Sequence, residues 1–302
     1  MNISDYCMFL NNNYGIRTQN IEIEEVSSFP HIKRIKSDKG IFYLKKLFFD
    51  ENKRKLLEDV YSNLDNNLCV SVPIRNRKKE YISDYEGEGY VLTNKLDEFR
   101  KNPNADWWAN TLYTIHDKKI KLINQNFDLN SYFSCENALY VEAMKYITKD
   151  VKTEIELLLD KVKGNRYEHL DFIANHGDPL LSNVMLCGEN IVLMDFESSI
   201  LAPKEYDIQR HLWDYAVNSE IVDLDQYYCD FNENYSIKTK INYSLLADLL
   251  ILDFLRSLCW LIIVGNDNSR LDVKRQKTEM YKAIKALQVG KISQILLMIK
   301  GE

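Results

Sequence analysis

Glycine and proline are scarce in this chain, at 10 and 5 of 302 residues. That excludes collagen-like repeats and the proline- and glycine-rich compositions of disordered segments. Cysteine pairs are missing too. The six cysteines stand at positions 7, 69, 135, 187, 229 and 259, with no CxxC among them, so neither a zinc site nor a disulfide framework fits. Reduced, mostly buried thiols in a cytoplasmic protein are the expectation. No apolar run of membrane-spanning length is free of charge. The most apolar stretch, 245–264, carries Asp248, Asp253 and Arg256, each costing roughly 2.5–3.5 kcal/mol at a bilayer centre. A core helix with three polar contacts is expected there. The opening Met1-Asn2-Ile3-Ser4-Asp5 has no basic or apolar signal region. A basic excess is also lacking. The net charge of −6 argues against a phosphate-backbone binder, which is usually basic. The expected partner is a small molecule rather than nucleic acid or membrane, with the oligomeric state left open.

What is present is ordinary globular material, 45% hydrophobic and 28% charged, in a length that suits one two-lobed unit or two modest domains. The periodicity changes along the chain. Residues 4–13 read as a short helix capped by Ser4. Alternating patterns then predict strands over 21–26, 31–36 and 41–48, with Ser37-Asp38-Lys39-Gly40 as a turn. A helix follows over 50–64, with Leu56, Leu57, Val60 and Leu64 at helical spacing. Strands are predicted at 70–75, 81–85 and 89–93. Beyond the polar segment 95–104 the pattern becomes mainly helical. One helix spans 105–118, with Trp108, Leu112 and Ile115 on one face, and one or two more fall within 137–163. Short β-like pieces occupy 172–195, and helical periodicity runs from about 207 to 298. The fold class is therefore α+β, with a small antiparallel β-rich lobe over 1–95 and a larger, mainly helical lobe over 96–302.

The chemistry concentrates in Asn175-His176-Gly177-Asp178-Pro179-Leu180-Leu181-Ser182-Asn183. Asp178 and Asn183 are too far apart to share one helical face, and the flanking residues are apolar, so a loop between buried strands is implied. Cys187-Gly188-Glu189-Asn190 reads as a hairpin turn that returns Asp195 toward Asn183. Asn183 and Asp195 offer the hard oxygen ligands that Mg²⁺ takes alongside water and phosphates. Asp178 is then available to accept a proton from a substrate hydroxyl, the division of labour of kinases.

His176-Gly177-Asp178, Ser182-Asn183 and Asp195 together resemble the catalytic and metal motifs of the aminoglycoside phosphotransferase and choline kinase superfamily. Tyr206-Asp207 and the helix Trp107-Trp108-Ala109 … Ile115-His116 are similar to it as well, so the resemblance spans roughly residues 20–215. It implies a two-lobed protein-kinase-like fold, ATP or GTP as co-substrate, and Mg²⁺. It assigns Asp178 as the catalytic base and Asn183 and Asp195 as metal ligands. His176 and Asp207 become braces of the catalytic loop. Phe42-Tyr43-Leu44-Lys45 resembles the strand that carries the phosphate-binding lysine. Lys45 is preferred over its neighbour Lys46, which points the opposite way. Glu58 is the expected acidic partner of Lys45, with Glu51 as second choice. Thr93, Asn94 and Leu96 fall in the hinge, whose backbone would meet the nucleotide base.

Two departures stand out. The glycine-rich phosphate loop of protein kinases is replaced by Ser27-Ser28-Phe29-Pro30, and Asp195-Phe196-Glu197 stands where they have Asp-Phe-Gly. Glu197 is either a further metal or outer ligand or an exposed acid. Trp107, Trp108, His116 and His211 read as packed residues, and Asp214 as an acid that could face a substrate cleft. The expected activity is transfer of a γ-phosphate to a small-molecule hydroxyl, on an aminoglycoside-like antibiotic or an amino alcohol or sugar metabolite. Acids at Glu220, Asp223, Asp225, Asp230 and Glu233 are candidates to receive a polycation. The alternatives are a spore-coat-type kinase homologue and a catalytically inactive kinase fold used for binding; the latter sits poorly with all three motif residues being present.

Overall fold

The computed structural model describes residues 1–17, 21–26, 29–48, 50–65, 67–99, 102–118, 121–128, 165–218 and 223–253, with isolated positions between 141 and 162. Ser27 and Ser28, the helices expected within 137–163 and the helical pattern past 253 lie outside or almost wholly outside the described residues. In chain order the elements are α1 (Ile3–Tyr14), β1 (Glu22–Val26), β2 (Phe29–Ser37), β3 (Gly40–Leu47), α2 (Glu51–Leu64), β4 (Ser83–Tyr85), β5 (Glu88–Asn94), β6 (Asp97–Glu98), α3 (Ala105–His116), β7 (Lys121–Asp128), β8 (Arg166–Asn175), β9 (Val184–Cys187), β10 (Asn190–Leu193), β11 (Ile200–Ala202), α4 (Glu205–Asn218) and α5 (Leu224–Ser236). Residues 243–253 are also helical. The chain divides into two compact units, 1–101 with 183–199, and 102–182 with 200–302.

The first unit is built on an antiparallel five-stranded sheet of order β1-β2-β3-β5-β4. Helix α1 covers one of its faces, where Phe9, Leu10 and Ile16 pack with Ile35, Phe42, Leu44, Tyr90 and Leu92. Because strand side chains alternate, this packing sends Tyr43 and Lys45 to the other face. The α1 cap is Asn2, not Ser4. The Asn2 side chain accepts from Asp5 N at 3.0 Å and Asp5 Oδ2 accepts from Asn2 N at 2.8 Å. This reciprocal box satisfies two orphan donors, where a lone serine satisfies one. Helix α2 is capped by Asp50, which accepts from Lys53 N at 2.9 Å, and it buries Leu57, Val60, Tyr61 and Leu64.

The strand expected over 70–75 is absent from the sheets; only an isolated bridge joins Val70 to Leu193. Pro73 explains this, since it donates no N–H to a ladder. The flanking donors find single partners, Ser71 N to Leu193 O at 2.9 Å and Ile74 N to Leu92 O at 2.7 Å. A second small sheet, β10-β9-β6, completes this unit. Its β9–β10 hairpin turns at Gly188, whose φ of 63° is left-handed and favours glycine.

The second unit holds a sheet of order β11-β8-β7 and the helices α3, α4 and α5. Strand β7 carries no clear alternation in Lys121-Leu122-Ile123-Asn124-Gln125-Asn126-Phe127-Asp128 and was not anticipated. Trp108, Leu112, Ile208, Leu212, Tyr215, Phe231 and Tyr235 form buried parts of its interior. The charge-interrupted stretch from 245 is helical as far as it is described and buried apart from the partly exposed Asp248, with Asp253 wholly inaccessible. Among the described residues no helix is long and apolar enough to cross a membrane.

Candidate active site

Lys45 lies in the first unit on the sheet face opposite α1. Its Nζ is 3.1 Å from each carboxylate oxygen of Asp195 and 2.9 Å from Glu197 Oε1. Both acids follow β10 directly. Asp195 makes the turn with φ 69° and ψ 62°, a left-handed conformation that aspartate tolerates better than most residues. Burial disfavours the Lys45 ammonium, but the carboxylates of Asp195 and Glu197 outweigh it and raise the lysine above its ordinary value. Burial pushes Glu197 up to about 7; Asp195 adds to the rise while Lys45 and Lys53 oppose it. Lys53, from α2, donates to the Ser199 carbonyl. Lys46 pairs with Glu88 instead.

Glu58 is engaged elsewhere than the sequence suggests. Its carboxylate accepts the backbone N–H groups of Tyr81, at 3.1 and 3.2 Å, and Ile82, at 2.7 Å. Residues 81 and 82 approach β4 over α2, and their donors need an acceptor there. Glu58 therefore ties a loop to the helix, and the acids beside Lys45 come from the segment after β10. Glu51, the second choice, is exposed in the first turn of α2.

A cavity of about 260 Å³ opens on this lysine. Thr93, Asn94 and Leu96 line it together with Lys45, Asp195 and Glu197. Val26, Ile32, Val91, Met185 and Met194 supply apolar wall. It thus pairs an apolar slot with one charged end, the usual make-up of a small-molecule site. Asn183 belongs to the same unit. Its carbonyl accepts from Met194 N at 2.9 Å, so the residue before Asp195 is fastened to Asn183. The amide of Asn183 and the carboxylates of Asp195 and Glu197 are hard oxygen donors, a chemistry that fits Mg²⁺ completed by water and phosphate. Among the described residues no group of three or more His, Cys, Asp or Glu forms a self-sufficient metal cage.

Asp178 lies in the second unit, in a loop after β8. Gly177 turns the loop with φ 86°. The fully buried Asp207 of α4 receives His176 N at 2.6 Å and Gly177 N at 2.8 Å, one on each oxygen. His116 Nε2 is 3.1 Å from the same carboxylate, and its Nδ1 is 2.6 Å from Tyr235 Oη. His176 Nδ1 accepts from Asp178 N at 3.2 Å, and Asp214 Oδ2 accepts from Leu181 N at 2.7 Å. The loop backbone is therefore held at four points by side chains.

One residue in this group, Arg210, escaped the sequence reading. Arg210 donates through Nη2 to Asp178 Oδ1 at 2.5 Å, and through Nη1 to Asp253 Oδ1 and Oδ2 at 2.9 and 3.1 Å. Burial works against the guanidinium charge, and Asp253 and Asp178 overcome it, holding Arg210 above its ordinary value. The available signal was Asp253 itself, a charge in an apolar helical run that requires a buried partner. Trp108 and His211 are packed, stacking at 4.1 Å between ring centres.

No family model matches the sequence, and no curated protein does. Solved structures do match. A spectinomycin phosphotransferase in complex with ADP and spectinomycin aligns at 14% identity and TM-score 0.60, covering 94% of this chain and 98% of its own. An amicoumacin kinase in complex with AMP-PNP and Ca²⁺ aligns at 14% identity and TM-score 0.62, covering 95% and 93%. A choline/ethanolamine kinase family protein from Mesorhizobium loti aligns at 12% identity and TM-score 0.57 over the full length of both chains. The chain accordingly has the α+β fold shared by aminoglycoside phosphotransferases and choline/ethanolamine kinases.

Proposed function

We propose that this chain is a small-molecule kinase, transferring the γ-phosphate of ATP or GTP to a hydroxyl group. The observation that carries this reading is the Lys45 ammonium held 3.1 Å from Asp195 at the charged end of a cavity lined by Thr93, Asn94 and Leu96. Those three residues are well situated to receive the nucleotide base, largely through backbone groups. Lys45 is a fixed cation for the α- and β-phosphates, and it exchanges part of its carboxylate contact for phosphate oxygens. Mg²⁺, held by Asn183 and Asp195, would supply charge neutralisation between the phosphates. Glu197, 2.9 Å from the Lys45 ammonium, keeps that lysine oriented.

Asp178 orients the acceptor hydroxyl and takes its proton. The acceptor oxygen forms a bond to the γ-phosphorus as the bond from that phosphorus to the β–γ bridging oxygen breaks. The electron pair leaves with the nucleoside diphosphate. Bracing of the loop by Asp207 and Asp214 suits this role, since transfer of this kind depends on positioning more than on covalent help. The acceptor class is an aminoglycoside-like antibiotic or an amino alcohol or sugar, in a cytoplasmic setting where nucleoside triphosphate is plentiful.

The test is a coupled ADP-release screen over aminoglycosides, choline, amino alcohols and sugars, run with Mg²⁺ and with Asp178→Ala as control. Acceptor-dependent release by the wild type alone supports the reading. Release that is equal in the variant contradicts the assignment of Asp178.

A further inference from the structure

We propose that Arg210, anchored by Asp253, is a positioning residue for the catalytic carboxylate of Asp178. This rests on the reading of Asp178 as the base. Asp207 and Arg210 are three residues apart on α4 and so share a helix face. One turn of that helix holds the loop twice: Asp207 takes the backbone of His176 and Gly177, and Arg210 takes the side chain of Asp178.

The guanidinium is itself fixed. Its side chain is 13% exposed, and its Nη1 contacts both oxygens of a carboxylate with no exposure at all. Asp253 lies 43 positions along the chain, on the helix 243–253. A planar guanidinium sets the direction between its two terminal nitrogens, so anchoring Nη1 on Asp253 dictates where Nη2 meets Asp178. A lysine carries a single cationic centre and cannot span both acids in this way. The Asp178 side chain is 28% exposed, and the Arg210 contact on Oδ1 restrains the direction in which that carboxylate points. A pair serving stability alone would leave the turnover of folded enzyme unchanged. A positioning pair lowers kcat, leaves nucleotide affinity in place and moves Asp178 in the crystal.

The experiment uses the full chain as wild type, Arg210→Lys, Asp253→Asn and the double variant. Nucleotide thermal shift establishes folding, acceptor-dependent ADP release gives kcat and KM, and crystal structures give the Asp178 rotamer. For Arg210→Lys the expected result is an unchanged nucleotide KM and a kcat lower by up to ~10²-fold, the scale of misplacing a reacting group. Asp253→Asn, which keeps the guanidinium but weakens its anchor, falls between. The double variant is no worse than Arg210→Lys, because both substitutions break one chain of contacts. Wild-type kcat in folded Arg210→Lys, or losses that multiply in the double variant, would overturn the proposal. Should Arg210→Lys not fold, Asp253→Asn decides by the same readouts. Should the wild type turn over no acceptor, the kinase reading fails separately. The crystal structures then decide alone: a displaced Asp178 in Arg210→Lys supports the tether, and an unmoved one refutes it.

Discussion

Glu197 Oε1 stands 2.9 Å from Lys45 Nζ, while Glu58 of α2 spends its carboxylate on the backbone N–H groups of Tyr81 and Ile82. The acid beside Lys45 and the acid that ties the 81–82 backbone to α2 are thus different residues. Glu58→Gln is expected to lower stability by about 1–3 kcal/mol, the range for disturbing buried bonds to a charged group, with the nucleotide KM unchanged. Glu197→Gln is expected to raise that KM severalfold. Chemical denaturation and ADP-release kinetics on both variants check the division; a KM effect confined to Glu58→Gln would reverse it.

Lys45 and Lys46 are neighbours with opposite faces, and only Lys45 lines the cavity. Lys45→Ala is expected to reduce kcat/KM for the nucleotide by at least ~10²-fold, the scale of removing an electrostatic stabiliser from a reacting site. Lys46→Ala, which loses an exposed pair with Glu88, should change it little. The opposite ranking would move the phosphate contact to Lys46.

Asp195 is one of the two residues proposed to hold Mg²⁺. In Asp195→Ala the thermal shift produced by ATP should be the same with and without Mg²⁺, whereas the wild type should show a larger shift with it. A ligand at 100 times its Kd adds about 2.7 kcal/mol, so the difference is measurable. An Mg²⁺-dependent gain of wild-type size in the variant would remove Asp195 from the metal site.

His211 yields a pH prediction. Burial lowers it from 6.5 to about 3, so the unfolded chain takes up the proton before the folded one does. Its contribution is fully present above about pH 6.5 and is lost as pH falls toward 3, at up to about 1.4 kcal/mol per pH unit. Relative to wild type, His211→Gln should therefore lose stability less steeply between pH 7 and 4 in denaturation at fixed temperature. Parallel pH slopes would show that His211 does not bear this load.

The sheet of the first unit and helix α2 were legible because alternation and helical spacing are local patterns. His176-Gly177-Asp178, Asn183 and Asp195 stand close in the chain, so their spacing is a local pattern too, and the roles proposed for them rest on the kinase reading. Other features depend on partners far along it. Both faces of β3 carry large apolar groups, and it is α1, packed on Phe42 and Leu44, that leaves Lys45 on the cavity side. The strand expected at 70–75 fails at Pro73 for want of a donor. The Glu58 pairing failed because the N–H groups of Tyr81 and Ile82 make no signal in the sequence. Arg210 reaches Asp178 and Asp253 across 32 and 43 positions, and no periodicity reports such a contact.

Phosphorylated acceptor is the product that separates a working kinase from an inactive fold. Wild type and Asp178→Ala are incubated with Mg²⁺, ATP and the acceptor that best stimulates ADP release, and phosphorylated acceptor is measured by mass spectrometry. Phosphorylated acceptor is expected from the wild type and none above background from Asp178→Ala, with the nucleotide thermal shift of the two proteins alike. Phosphorylated acceptor from Asp178→Ala at near the wild-type rate would contradict that expectation.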